Sequence, residues 1–490
     1  MQVYGELYDR IHRNRERLKA EEYCAPLLFR EGGDWPGDWQ GRTLLALCCH
    51  ERVAENGFVR GEVRAQIEGI LSMLGQETNA GGYFGALFDG EQVNEQQLSG
   101  NSWFLRGLCM YYETYPRAEI LARLQNISHS YLKKLAPFYE KYPLIRREEG
   151  GVGGHLQKAS SNGWLLSSDV GCAFILLDGI THVYAITKEE ALLPVIRTMI
   201  EKFSEIDYMR YNCQTHAVLS GTRGVLRMYR LTGNEQYLSL AERNFLLYTE
   251  YGMTLNYANY NWFGKPYWTE TCAVVDSLMV AQQLYLCTGK REYLEFLNRC
   301  YVNALRISQR PNGGAGCETC LNDENDCLKN YLYEAYFCCT MRIAEGLYSL
   351  CKNGIMQTDG GLVVAMPLDI DNDGVSVRVC ERDRGISIRI DSAKDFSSLR
   401  MYLPAHSSVT GEGGSLCGGM LTIEPCKAGT YSFEVGFSDH IEIRQNTSVH
   451  MRGDWMMMLG EDKDGKMRER VHNCLEFPDR KTVEEAKQYV

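Results

Sequence analysis

The residues with the most chemical potential sit in two short clusters, Glu270-Thr271-Cys272 and Cys338-Cys339. One carboxylate and three thiols can complete a tetrahedral zinc site, since thiolate sulfur and carboxylate oxygen both suit Zn²⁺. Metal binding would keep those thiols deprotonated at neutral pH. With 19 cysteines in 490 residues, an adjacent pair also arises by chance. Cys48-Cys49, inside an apolar run, reads as plain core. A rival group lies upstream, where Cys317-Glu318-Thr319-Cys320 is followed by Cys327. That spacing suits either a structural zinc in the loop after Gly313-Gly314 or simple free thiols.

Other residues have the chemistry of sugar recognition. Trp39, Trp103 and Trp262 offer apolar faces on which a sugar ring can stack. Residues 256–268, NYANYNWFGKPYW, combine aromatics and amides, with Lys265 as the one charge. The run reads as a pocket-lining loop entering the helix near 270. His216 adds a titratable base and Asp169 a carboxylate. His155, after Gly153-Gly154, reads as a loop residue. No phosphate-cradling Gly loop precedes a helix, and no Ser nucleophile elbow occurs.

These residues need a scaffold, and up to about residue 350 the periodicity is helical. Three turns repeat a layout: Thr187-Lys188, Thr232-Gly233-Asn234 and Thr288-Gly289-Lys290 each close an apolar helix, and a second, amphipathic helix follows. The pattern extends to six apolar helices near 39–50, 100–113, 168–186, 215–231, 270–287 and 338–351. More charged ones lie near 5–20, 61–75, 118–135, 189–203, 235–248 and 291–305. Six inner helices alternating with six outer ones predict an (α/α)6 toroid. If the inner helices run in one direction, their starts meet at one mouth. Trp39, Asn101, Trp103, Asp169, His216, Glu270, Cys272, Cys338 and Cys339 would gather there, where helix N-termini favour anions and thiolates.

After Gly354 the apolar period becomes two, with strand-like runs near 361–366, 375–379, 386–390, 399–403, 431–435 and 455–459. The expected fold is mainly α with a β domain, an (α/α)6 toroid over 1–353 followed by an antiparallel β-sandwich over 354–490 with a polar C-terminal tail. The short sandwich leaves an apolar face for a partner, and a homodimer is one expectation.

Composition limits the partners. Fifty-two Lys and Arg against 63 Asp and Glu give a net charge of -11, which argues against nucleic acid. Residues 1–19 have no apolar core or small-residue cleavage site, so no secretory signal is expected. The most apolar stretch, near 170–186, is broken by Asp178 and His182 and predicts no membrane span. So many cysteines without an export signal imply a reducing, cytoplasmic setting.

On these motifs the chain resembles glycoside hydrolase family 127, the β-L-arabinofuranosidase type. The resemblance rests on Glu270-Thr271-Cys272, Cys338-Cys339, and Thr215-His216-Ala217-Val218 leading to Leu231-Thr232-Gly233, in family order over about residues 35–445. It implies a toroid followed by sandwich material, and Zn²⁺ held by Glu270, Cys272, Cys338 and Cys339. It also implies Cys338 as nucleophile of a retaining hydrolysis on a small furanoside, with His216 bonding the sugar hydroxyls. Trp39, Trp103, Asp169 and Trp262 complete the expected sugar contacts.

One departure stands out. The family's acid/base Glu precedes Glu-Thr-Cys by about sixteen residues, where this chain has Thr254. The nearest carboxylate is Glu250, the expected acid/base, with Asp169 and Glu318 as other sources. The family's extra cysteine, two before the pair, is Tyr336 here. Two other readings stay open: a carboxylate-based toroid glycosidase, epimerase or lyase using Asp169 and His216, or a catalytically silent sugar-binding protein with a structural zinc.

Overall fold

A computed structural model describes residues 2–30, 33–53, 61, 63–145, 156–266, 268–319 and 331–459. Twelve long helices occupy its first three-quarters: α1 (Gly5–Arg17), α2 (Asp38–Arg52), α3 (Arg64–Glu77), α4 (Glu95–Thr114), α5 (Ala118–Ser130), α6 (Leu176–Thr187), α7 (Leu193–Glu205), α8 (Thr215–Thr232), α9 (Glu235–Tyr251), α10 (Thr271–Thr288), α11 (Arg291–Cys300) and α12 (Cys339–Lys352). The even-numbered helices touch in the order α2, α4, α6, α8, α10, α12 and back to α2, which closes the inner ring. The odd-numbered helices pack outside it. The expected toroid is therefore the fold.

The inner helices are buried almost all round, taking charged residues such as Arg106, Arg223, Asp276 and Arg342 inside together with their apolar ones. Close approach depends on two glycines. A Cβ at Gly41 would lie 2.1 Å from the Phe104 nitrogen, and one at Gly224 would lie 2.5 Å from the Leu177 carbonyl carbon. Only hydrogen fits where these backbones cross.

The repeated threonine turns share one mechanism. Thr187, Thr232 and Thr288 each donate Oγ1 to the carbonyl four residues back, at 3.0, 2.7 and 2.8 Å. Each Oγ1 also accepts the backbone N–H two residues on, from Glu189, Asn234 and Lys290. The intervening Lys188, Gly233 and Gly289 adopt φ of 56°, 69° and 68°. One threonine thus ends the inner helix, and the left-handed residue turns the chain outward.

Two helix starts differ from expectation. Asn94 accepts the N–H groups of Gln96 and Gln97, so α4 begins at Glu95 and carries Asn101 and Trp103 two turns into the bundle. The segment 168–186 is not one helix. Its long helix begins at Leu176 after a 3-10 turn at Cys172–Ile175, leaving Asp169 in a loop after the strand Trp164–Ser167.

After α12 the next element is the strand Ile355–Thr358. Two sheets follow, of six and five strands. Ile386, Ile388, Ile390, Phe433 and Val435 of the first share one core with Leu399, Met401, Leu421 and Ile423 of the second. Two details were not anticipated. Gln2–Val3, ahead of α1, pairs with Ile370–Asp371 at the edge of the six-stranded sheet. Leu399–Tyr402 also runs parallel to Gly361–Val364, in a region otherwise antiparallel. A third sheet, Asp439–Arg444, Thr447–Arg452 and Trp455–Leu459, ties back to outer helix α11 through buried Asp454, which accepts from Asn298 at 2.7 Å and Arg299 at 3.0 Å. Among the described residues no helix is long and apolar enough to cross a membrane.

Two buried histidines make stability depend on pH. Burial, then Arg15, pushes His50 down to about 3, and burial pushes His182 down to about 4, from an ordinary 6.5. The unfolded chain takes up protons below pH 6.5 that the folded chain refuses, so stability falls as pH drops from 6.5 toward 4. The expected loss is about 2 kcal/mol per histidine between pH 7 and pH 5. Urea midpoints across that range measure it, and His182→Asn and His50→Asn flatten the slope.

Candidate active site

A cavity of about 640 Å³ opens at the mouth of the ring where the inner helices begin. Its floor comes from Glu270, just before α10, and from Cys338 and Cys339 at the start of α12. Cys272 lies behind, fully buried one helical position into α10. The donor atoms of Glu270, Cys272, Cys338 and Cys339 all lie within 4.8 Å of one another. Cys272 Sγ is 3.2 Å from Cys338 Sγ and 3.5 Å from Cys339 Sγ. Glu270 Oε1 is 3.6 Å and 3.9 Å from the same two sulfurs.

A tetrahedral zinc with Zn–S bonds of about 2.3 Å needs sulfurs about 3.8 Å apart. The observed 3.5 and 3.2 Å fall short of that, so the donor set fits zinc in type and number, with the sulfurs drawn closer together than a bound ion would hold them. Bonds from the Cys272 and Cys339 thiols, with help from Arg42, hold Cys338 well below the ordinary thiol range despite its burial. Burial, followed by the charge on Cys338, pushes Glu270 up to about 7. Negative charge in this cluster therefore collects on Cys338, which is also the least buried of the three sulfurs.

One wall is polar. Asp169, Gln214, His216, Asn261 and Trp262 line it, and Trp262 Nε1 donates to Asp169 Oδ1 at 3.3 Å. Burial pushes Asp169 up to about 6. His216 Nδ1 sits 2.5 Å from Asp276 Oδ2, which leaves its Nε2 toward the cavity and 3.4 Å from Arg42 Nη2. The opposite wall is aromatic. Trp39 meets Tyr336 edge-on at 5.6 Å, and Phe337 extends it outward. Asp38 lies beside Trp39, pushed up to about 6 chiefly by burial, against the lowering charge of Arg42.

The structure thus brings Trp39, Asp169, His216, Trp262, Glu270, Cys338 and Cys339 to one cavity, with Cys272 directly behind. Two expected residues lie elsewhere. Trp103 does not reach the cavity: it is fully buried beneath His216, stacked at 5.6 Å and 11°. The guanidinium groups of Arg42 and Arg342 sit over its ring at 3.9 and 4.6 Å, so it supports the site by packing. Glu250 is exposed near the end of outer helix α9 and does not line the cavity, which removes it as acid/base. Glu318 faces away from the cavity, 3.4 Å from Arg310. Thr254 is buried and donates to Asn256.

Strand pairing settles where Cys317 lies. The strand Gly316–Thr319 pairs with Trp268–Glu270, setting Cys317 opposite Glu270 on the cavity floor. It therefore borders the main cluster. Cys320 and Cys327, the rest of the rival group, fall outside the described residues, as does His155.

Sequence reading missed Asp38, Arg42 and the charges beneath the floor. Arg42 donates Nε to Asp38 Oδ1 at 2.6 Å and Nη1 to Cys272 Sγ at 3.6 Å. Asp276 joins His216 to Arg223 and Arg342, and Glu345 joins those arginines to Arg106 and thence to Asp178. A signal existed. Asp276 follows Cys272 by four residues, Arg342 follows Cys339 by three, and Arg223 follows His216 by seven, each on the same helix face in an otherwise apolar helix.

No protein-family model matches this sequence, and no curated protein does either. Solved structures do match in fold. A GH127 β-L-arabinofuranosidase from Geobacillus stearothermophilus T6 superposes with a TM-score of 0.62 at 13% identity, over 92% of this chain and 85% of that one. A second GH127 β-arabinofuranosidase matches with a TM-score of 0.60 at 12% identity, over 92% and 79%. A structure described as a glycoside hydrolase gives 0.61 at 12% identity, over 93% and 81%. The chain thus shares its fold, toroid and strand region together, with these structures.

Proposed function

We propose that this protein is a retaining glycoside hydrolase that uses Cys338 as nucleophile on a small furanoside, of the β-L-arabinofuranoside type. The observation that carries this reading is the Glu270/Cys272/Cys338/Cys339 cluster on the floor of an open cavity, with Cys338 its most accessible sulfur. The cavity volume suits one sugar and part of its leaving group. Amides and His216 on one wall offer partners to hydroxyls, and aromatics on the other offer a face to an apolar ring side.

Glu270, Cys272, Cys338 and Cys339 would hold Zn²⁺, which when bound keeps the sulfurs deprotonated and in position. The Cys338 thiolate attacks the anomeric carbon as the glycosidic C–O bond breaks, giving a glycosyl thioether on the enzyme. Water then attacks the same carbon, the C–S bond breaks, and the thiolate returns. Two displacements retain configuration, as with a carboxylate nucleophile. His216, its Nδ1 held by Asp276, presents Nε2 to a sugar hydroxyl.

Metal content by elemental mass spectrometry tests the cluster. About one zinc per chain in wild type, lost in Glu270→Ala/Cys272→Ala together with furanoside hydrolysis, is the expected result. Zinc that survives the double substitution would move the metal elsewhere. A second reading is favoured by one observation: Asp38 and Asp169, both pushed up to about 6, line the same cavity. A carboxylate-based enzyme would keep its activity in Cys338→Ala.

A further inference from the structure

Breaking an unactivated glycosidic bond requires a proton on the departing oxygen, and general acid help is typically worth about 10²–10⁴ in rate. Among the described residues, the carboxyl groups lining the cavity are Asp38, Glu77, Asp169 and Glu270. Glu270 belongs to the thiol cluster, and Glu77 is exposed at the end of α3. Asp169 and Asp38 remain, and they stand on different walls.

Asp169 is embedded among hydroxyl-binding groups, beside His216, Gln214 and Asn261, and is held by Trp262. Asp38 is placed otherwise. It begins α2 next to Trp39, on the aromatic wall that continues through Tyr336 and Phe337. A single guanidinium spans from its Oδ1 to the thiol cluster, since Arg42 donates Nε to Asp38 at 2.6 Å and Nη1 to Cys272 at 3.6 Å. One arginine therefore ties the Asp38 carboxyl to the cluster that contains Cys338. Its Oδ2 has no protein partner among the described residues. Trp39 Nε1 is likewise buried without a partner there, which leaves a donor for a ligand oxygen.

We infer that Asp38 is the general acid/base of this site, and that Trp39, Tyr336 and Phe337 form the subsite for the leaving group. This inference rests on the cysteine-hydrolase reading above. In the first step the Asp38 carboxylic acid gives its proton to the glycosidic oxygen as that C–O bond breaks and the C–S bond to Cys338 forms. In the second, the Asp38 carboxylate takes a proton from the attacking water as the C–S bond breaks, restoring the acid and the thiolate. Arg42 on the same helix, Cys338 on α12 and His216 on α8 are the charged or titratable groups that act on it. The subsite selects a leaving group with a flat apolar face, an aryl alcohol or the face of a second sugar.

The test compares wild type, Asp38→Asn and Asp169→Asn on furanosides with nitrophenyl and with alkyl or sugar leaving groups. Intact mass spectrometry follows the Cys338 adduct in parallel. Asp38→Asn is expected to lose about 10²–10⁴-fold in kcat/KM on poor leaving groups and far less on nitrophenolate, because only the former need the proton. With the nitrophenyl substrate the Cys338 adduct accumulates, since its hydrolysis has lost the base, and azide, which needs no base, restores turnover. Asp169→Asn is expected to slow all substrates by a similar factor. The inference is overturned if Asp169→Asn shows the leaving-group dependence and Asp38→Asn does not. If Asp38→Asn forms no adduct at all, it has disturbed the site through Arg42, and Asp38→Glu is read instead. That variant keeps the charge and is expected to retain leaving-group dependence close to wild type with a reduced rate. An Asp38→Glu rate equal to wild type on every leaving group counts against the assignment. A wild type that hydrolyses no furanoside and forms no adduct overturns the parent reading, an outcome distinct from an active wild type with an indifferent Asp38.

Discussion

On the proposed cysteine mechanism, Cys338→Ser is expected to lower furanoside turnover by about 10⁴-fold or more, because a hydroxyl is hardly ionised where the thiol is, and the covalent step would be lost with it. The neighbouring groups explain why this sulfur matters most. Cys338 collects the negative charge of the cluster, whereas burial and their thiol neighbours push Cys272 and Cys339 well above the ordinary thiol value. Cys338 also lines the cavity directly at the start of α12. Glu270, Cys272 and Cys339 remain as three donors in the variant, so zinc content is expected to fall much less than turnover. Measuring kcat/KM and metal stoichiometry on one preparation separates the two effects. Retention of more than a tenth of wild-type activity would remove Cys338 as nucleophile and favour the carboxylate reading.

The second large effect is on stability. Asp276 is fully buried, and its carboxylate is shared by His216, Ser220, Arg223 and Arg342 at 2.5 to 2.9 Å. Asp276→Ala leaves two buried guanidinium groups short of a partner, and removing one side of a buried ion pair typically costs about 3–5 kcal/mol. The same change frees His216 Nδ1, so sugar binding is expected to weaken in any variant that still folds. By contrast, Arg389–Asp391 is an exposed pair, and Arg389→Ala is expected to leave stability nearly unchanged. Calorimetry on both variants checks the difference. Equal shifts would mean that the buried network adds no more to stability than a surface pair.

That network also bears on specificity of the fold. Charges inside a helical ring are costly unless every partner is in place. Asp178, Asp276 and Glu345 supply partners from α6, α10 and α12 to arginines on α4, α8 and α12. Inner helices in any other order would strand several of these groups.

Much of the architecture was legible in the sequence by itself. Apolar periodicity and the recurring threonine turns determined the alternation of inner and outer helices, since each helix must bury one face and a left-handed residue must turn the chain. The change to period two after Gly354 determined the strand region for the same kind of reason. Glu270, Cys272, Cys338 and Cys339 were brought together only by the expected meeting of helix starts at one mouth and by the family resemblance, since residue type alone did not set them apart from Cys317, Cys320 and Cys327. Tertiary structure alone decided the rest. An early cap at Asn94 drew Trp103 down into the core, and a late start for α6 left Asp169 in a loop, because helix ends depend on single capping bonds that periodicity does not record. Strand pairing set Cys317 beside the main cluster. Asp38 precedes the helix expected near 39–50 and no motif marked it, and Glu250 was simply the nearest carboxylate in sequence. Proximity in the chain carries no information about a cavity whose walls come from many separate segments, and only closure of the ring put Asp38 at the site and Glu250 on the surface.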